Sequence, residues 1–286
     1  MNLIKPFDPW NSKICTCPKK FSLSPYTGCS HLCLYCYASS YIKNFFLPRE
    51  KKNFLERLKK EVRKLSKGSY ISMANSSDPY LALEKKLKLT QKTLEILKEF
   101  DLKIMIVTKS SLILRDISLL KEFKNIVIAI SITTLKDSLA KRLEKLAPLP
   151  KERLNAIEKL AKYFKVVCRL DPLIYPLNTH HIKEIIKELK NRGAKQIITS
   201  TYKAKPDNFK RMLSEFPEYK DLWIKLYMKE GEKICGSRYL PQSLRRKIIQ
   251  EVREIVLREK LEFSSCREGF RDLNTEICDG SGFFED

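Results

Sequence analysis

No apolar run in this chain approaches the roughly 18 residues that cross a bilayer. The opening stretch, Met1-Asn-Leu-Ile-Lys-Pro-Phe-Asp-Pro9, lacks the apolar h-region of a secretory signal. A cytoplasmic protein without a membrane partner is the expectation. Histidine is scarce: there are three, at positions 31, 180 and 181. Two of them are adjacent, and no His-x3-5-His pair follows a cysteine pair, so a matched zinc-finger arrangement is missing. Glycines number only eight, and no repeat period or low-complexity block is present. The nine cysteines are an odd count with no export signal. That argues against a disulfide framework and for metal-bound, catalytic or buried free thiols.

Three of those cysteines stand close together as Cys29-x3-Cys33-x2-Cys36, within the run from Ser24 to Ala38. Thiolates are soft donors that select iron–sulfur clusters or zinc, and a four-iron cluster takes one cysteine per iron. Three local cysteines therefore leave one iron open to a small molecule. Half of a zinc site, or plain packing at a cysteine-rich helix start, is the competing reading of the same spacing.

Charge is the second constraint. Fifty-six basic residues against 34 acidic give a formal net charge of +22. Such an excess favours a polyanion, and nucleic acid gains most from Lys and Arg through release of condensed counterions. The competing reading is a Lys-rich surface adapted to heat, although that pattern is normally balanced in sign.

Short apolar runs alternate with amphipathic stretches. The runs are 21–26, 70–74, 103–108, 125–131, 164–169 and 196–200. Between them, Phe54, Leu55, Leu58, Val62 and Leu65, and likewise Ile182, Ile185, Ile186 and Leu189, mark buried helical stripes. Near-continuous apolar strands alternating with helices predict an α/β fold with six parallel strands. A partial (β/α)6 TIM-type barrel fits that count, with a doubly wound open sheet as the alternative. After Thr201 the pattern becomes helical, over about 206–215, 217–229 and 241–260, and the last segment, 264–286, shows little periodicity. The expected organisation is an N-terminal segment 1–20, a barrel 21–202, and a helical extension with a cysteine-containing tail 203–286.

With Tyr35 just before the third cysteine, the Cys-x3-Cys-x2-Cys motif resembles that of the radical S-adenosylmethionine (radical SAM) superfamily. The string Pro25-Tyr-Thr-Gly28 followed by Tyr35-Cys-Tyr-Ala38 looks like the branch related to spore photoproduct lyase, often labelled DNA repair photolyase. The resemblance spans about residues 21–200. It implies a [4Fe-4S] cluster on Cys29, Cys33 and Cys36, with S-adenosylmethionine on the open iron. It further implies reductive cleavage to a 5′-deoxyadenosyl radical, hydrogen-atom abstraction from a substrate, and an electron donor of flavodoxin or ferredoxin type. It also implies a partial barrel with the cluster near the C-terminal strand ends, the face on which barrel enzymes in general place their chemistry.

By the same resemblance, residues at successive strand ends bind the cofactor. Ser77 and Asp78 would meet its amino end or ribose, Lys109 and Arg169 its carboxylate, and Ser131 a hydroxyl or carboxylate oxygen. The chemistry is independently sensible: a carboxylate wants a cation, a ribose edge an acceptor, an ammonium an oxygen. Lys109 could equally be a snorkelling surface lysine, and Ser77-Asp78-Pro79 a turn or cap. The Gly-Gly-Glu common at this strand in the superfamily is replaced by Met73-Ala-Asn-Ser-Ser-Asp78. Tyr35 resembles a position near the adenine, and Tyr37 is a candidate to line the radical's path or relay a hydrogen atom. Four further thiols, Cys15, Cys17, Cys266 and Cys278, are candidates for an auxiliary iron–sulfur or zinc site. Cys266 or Cys278 could instead donate a hydrogen atom. Cys168, on a strand, reads as a small buried hydrophobe. Two rival functions remain: a non-enzymatic metal-containing nucleic-acid binder, and a radical SAM enzyme acting on a protein or small metabolite.

Overall fold

The computed structural model describes residues 2–7 and 12–285. Its main sheet has eight strands: β1 (Lys5–Pro6), β2 (Phe21–Leu23), β3 (Ser69–Met73), β4 (Leu102–Thr108), β5 (Asn125–Ser131), β6 (Lys165–Leu173), β7 (Gln196–Thr201) and β8 (Glu262–Ser265). They lie side by side in chain order. β2 to β7 pair parallel throughout, β1 adds an antiparallel edge, and β8 adds a parallel strand beside β7. A doubly wound sheet reverses its strand order part-way. This one does not, so the winding is that of an open (β/α)6 barrel extended at both edges.

Between the strands run α1 (Phe54–Val62), α2 (Leu89–Leu97), α3 (Asp137–Leu143), α4 (Pro150–Ala161) and α5 (Ile182–Asn191). Each presents one apolar stripe. In α5, Ile182, Ile185, Ile186 and Leu189 are all buried, each contributing about 1.5–3 kcal/mol by leaving water. Side chains alternate across the strands. Ile71, Ile104, Ile106, Ile128, Ile130, Cys168 and Ile197 belong to the large core shared with the helices. Tyr70, Met105, Val127, Ala129, Val167 and Ile198 form a separate small core on the opposite face. That inner face is closed by the tail: Cys266, Phe283 and Phe284 pack against it.

The N-terminal segment and the 203–286 extension each add an edge strand to the barrel's sheet. And the 203–286 extension is not helical alone. Besides α6 (Pro206–Glu215) and α7 (Gln242–Arg258) it contains the antiparallel pair Glu232–Ile234 and Ser237–Tyr239, turned at Gly236 with φ +73°, and β8 itself.

Candidate functional site

A cavity of about 490 Å³ opens at the C-terminal edge of the parallel strands. Its wall includes Cys29, Cys33 and Cys36, Tyr35 and Tyr37, Ser77 and Asp78 after β3, Lys109 after β4, Ser131 at the end of β5, and Arg169 in β6. Residues that sequence reasoning placed on separate strand ends therefore share one space. Arg169 differs in one detail: β6 continues to Leu173, so the residue sits within the strand, as the register partner of Ser131.

The cysteine loop is held by its main chain. At Gly28, φ is +83° and a Cβ would come within 2.4 Å of the Phe45 carbonyl oxygen, so only glycine fits. Cys29 N–H donates to Phe45 O (2.7 Å), Leu34 N–H to Leu143 O (2.9 Å), and Leu146 N–H to His31 O (3.0 Å). From α6, Asn208 Nδ2 donates to Tyr35 O (3.1 Å), and Arg211 Nε donates to Leu34 O (3.1 Å). These bonds fix the loop before any metal arrives.

The donor set fits a cluster. All three thiols are near-buried, and burial pushes each upward, Cys33 to about 12. A thiolate at such a site needs strong positive charge beside it, which iron supplies. Among the described residues no three Cys, His, Asp or Glu side chains close on a single-ion point. Three soft thiols on one loop offer a polynuclear cluster one thiolate per iron.

Asp78 turns out to be occupied by protein donors. Its Oδ1 accepts from Thr108 Oγ1 (2.6 Å) and Tyr80 N–H (2.9 Å), and its Oδ2 from Lys109 N–H (2.7 Å). His31 Nε2, from the cysteine loop, stands 3.1 Å from Oδ2. Burial would raise this carboxyl, but the charge of the nearby His31, with the bonds from Thr108 Oγ1 and Lys109 N–H, outweighs it and holds it at about 2. Of the Ser77–Asp78 pair, Ser77 donates a longer bond to Tyr26 O (3.3 Å).

Lys109 does not snorkel to the surface. Its ammonium lies 4.0 Å from Glu144 Oε1 and 5.8 Å from the centre of the Tyr35 ring. Glu144, just past α3, is wholly buried, accepts from the Tyr35 hydroxyl, and pairs with Arg153 of α4. Burial alone would raise its carboxyl, yet Arg153 and Lys109 hold it at about 2. Tyr35 therefore spends its hydroxyl on this network beneath the loop. Tyr37 is half-buried, and its hydroxyl donates to Asn75 O (2.9 Å).

Arg169 donates to Asp171 Oδ2 (2.7 Å) and hydrogen-bonds the Cys266 thiol. Cys266 lines the cavity, whereas Cys278 does not; it lies behind Cys17, with the sulfurs 3.4 Å apart. That placement removes Cys278 from the cavity wall where a direct hydrogen donor would stand. Cys168 is fully buried on the helix-facing side of β6, and Cys235 is exposed at the hairpin turn. Sequence reasoning missed His31, Glu144, Arg153 and Arg211. Only His31 carried a local signal, lying between two of the cysteines.

The family model of the radical SAM superfamily matches residues 23–189, more than half the chain. The chain belongs to the radical SAM superfamily. An uncharacterized protein of Acidianus two-tailed virus is 31% identical over 191 residues, 59% of this chain and 63% of the viral protein. An uncharacterized protein of Methanocaldococcus jannaschii is 34% identical over 149 residues, 49% of this chain and 55% of its own length. The chain thus covers less than two thirds of these relatives. Among solved structures, a spore photoproduct lyase mutant with bound AdoMet and dinucleoside spore photoproduct superposes with a TM-score of 0.67. It is 15% identical and covers 90% of this chain and 79% of its own. Streptococcus suis SuiB bound to S-adenosylmethionine gives 0.57 at 15% identity, covering 91% and 55%. At such identities the likeness is one of fold. The radical SAM family implies a [4Fe-4S] cluster and S-adenosylmethionine, and no helix among the described residues is long and apolar enough to cross a membrane.

Proposed function

We propose that this chain is a radical SAM enzyme whose substrate is nucleic acid, acting in repair or modification. The observation that carries the reading is that Cys29, Cys33, Cys36, Ser77, Lys109, Ser131 and Arg169 line one cavity at the C-terminal strand edge. When bound, the cluster and S-adenosylmethionine supply a 5′-deoxyadenosyl radical, with the electron coming from a flavodoxin- or ferredoxin-type donor.

The protein's part is to hold and shield. Cys29, Cys33 and Cys36 ligate three irons. Arg169 and Ser131, side by side in register, offer a cation and a hydroxyl to the cofactor's carboxylate. Lys109, tied to Glu144, sets a positive charge beside Cys33. Ser77 meets the ammonium or ribose end. Asp78 is better read as the anchor of His31 and the cysteine loop than as a cofactor ligand, because four protein donors already face its oxygens. Tyr37 lines the approach between loop and cavity.

Charge supports the substrate class. The cavity wall carries Lys5, Lys20, Lys109, Arg169, Lys203 and Arg267 against three aspartates, on a chain of net charge +22. The spore photoproduct lyase structures that share the fold hold a dinucleoside photoproduct. A deuterium-transfer assay tests this: anaerobic, reduced protein with S-adenosylmethionine and deuterated oligonucleotides should place deuterium in 5′-deoxyadenosine. Transfer from deuterated peptides or metabolites instead, with none from DNA or RNA, rejects nucleic acid as substrate.

A further inference from the structure

Six of the nine cysteines are explained neither as ligands of the first cluster nor by the cofactor cavity alone, and four of those gather at one place from opposite ends of the chain. Cys17 Sγ stands 3.4 Å from Cys278 Sγ. The Cys15 and Cys17 thiols are hydrogen-bonded to each other. Cys266 lies within electrostatic reach of both Cys15 and Cys278.

The fold holds this convergence firmly. Cys266 follows β8, its N–H donating to Thr199 O (2.8 Å). The loop carrying Cys278 is fixed at three points. Gln196 Nε2 donates to Ile277 O (2.9 Å), Tyr70 OH to Asp279 Oδ2 (2.9 Å), and Lys20 pairs with the same oxygen at 2.5 Å, both charged groups being buried. Glu268, fully buried, accepts from Thr201 N–H (2.7 Å), and its carbonyl accepts from Arg245 Nη1 (2.7 Å). At Gly280 φ is +84°, and a Cβ there would meet Val167 Cγ1 at 3.0 Å.

We infer that Cys15, Cys17, Cys266 and Cys278 ligate a second iron–sulfur cluster, on the wall of the cavity that Arg169 lines. Two thiolates on one tetrahedral metal, with bonds of about 2.3 Å, stand about 3.8 Å apart, close to the Cys17–Cys278 separation. The four sulfurs do not close around one ion among the described residues. An iron–sulfur cluster, whose irons take thiolates at separate positions, is the group we assign to the four cysteines. Lys20 and Arg169 face Cys17 with positive charge, which offsets the anionic charge of a thiolate-ligated cluster. On binding, four Fe–S bonds form, four S–H bonds break, and the protons go to solvent. Assembly starts from ferric iron and sulfide, and excess dithiol is oxidised to its disulfide as it supplies the electrons that bring part of the iron to the ferrous level.

The test uses the full chain, purified without oxygen and reconstituted with ferric iron, sulfide and excess dithiothreitol as reductant. The Cys29→Ala/Cys33→Ala/Cys36→Ala variant should keep roughly two to four irons with matching acid-labile sulfide, the content of a cluster held by four cysteines. Adding Cys17→Ser and Cys278→Ser should take iron to background. Where a variant fails to fold by circular dichroism, wild-type protein decides, since Mössbauer spectra should then show two clusters, only one perturbed by S-adenosylmethionine. A triple variant that folds without iron, or wild type with a single cluster, overturns the inference. So does a Cys17–Cys278 disulfide in protein kept from oxygen. None of these outcomes touches the proposed function, which depends on 5′-deoxyadenosine formation at the first cluster.

Discussion

His31, between the first two cysteines of the loop, stands 3.1 Å from the Asp78 carboxylate at the end of the neighbouring strand region. The contact ties the metal-binding loop to the barrel. Asp78→Ala would leave His31, Thr108 and two main-chain N–H groups facing an empty site. At about 1–3 kcal/mol for each buried donor left unpaired, denaturant unfolding should show a loss of several kcal/mol, with Asp78→Asn recovering part of it. An unchanged midpoint would dissociate the pair from loop anchoring.

The same carboxyl sets an acid limb. Its folded value, about 2, lies below the ordinary 3.8. The stability it contributes is therefore fully present above about pH 4 and lost as pH falls through about 2. Thermal melts of wild type between pH 5 and 2 should fall more steeply than those of Asp78→Asn. Parallel curves would assign the acid limb to other carboxylates.

Glu144 and Arg153 form a buried pair beneath the cysteine loop. Removing one partner, as in Glu144→Gln, leaves an uncompensated charge and should cost about 3–5 kcal/mol. The double change Glu144→Gln/Arg153→Met should recover much of that. A double variant less stable than either single change would mean that the pair itself, and not the avoidance of a lone charge, stabilises the fold.

Arg169, if it meets the carboxylate of S-adenosylmethionine, contributes a charge-assisted bond of about 1.5–3 kcal/mol. Arg169→Met should weaken anaerobic binding of the cofactor roughly 10- to 100-fold while Cys29, Cys33 and Cys36 still load iron. Unchanged affinity would confine Arg169 to its contacts with Asp171 and Cys266.

Nucleic-acid binding through the basic cavity rim should be steeply salt-dependent, falling by at least about 10²-fold between 50 and 200 mM salt. Lys5→Ala, at the cavity wall, should lower the slope by about one phosphate contact. A flat salt response would leave the +22 charge to some other use.

The six barrel strands were legible in the sequence because each is a short apolar run between amphipathic helices, a signal contained within its own residues. The cysteine loop was legible for the same reason. What escaped was non-local. Glu262–Ser265 becomes a strand only because Gln196–Thr201 is there to pair with it. Glu232–Ile234 is a polar three-residue strand with no period to detect. Glu144 and Arg153 look like ordinary helix-surface charges until the fold buries them together. Asp78 stood out in the sequence by its motif position, but its contacts with His31 and Thr108 come from distant segments and are visible only in the fold.

The central claim is that three cysteines and an open iron cleave S-adenosylmethionine. Anaerobically reconstituted, reduced protein should convert S-adenosylmethionine to 5′-deoxyadenosine, measured by liquid chromatography, and Cys36→Ala should abolish that product. Wild type that carries a reduced cluster yet forms no 5′-deoxyadenosine, or a Cys36→Ala variant that forms as much as wild type, would contradict it.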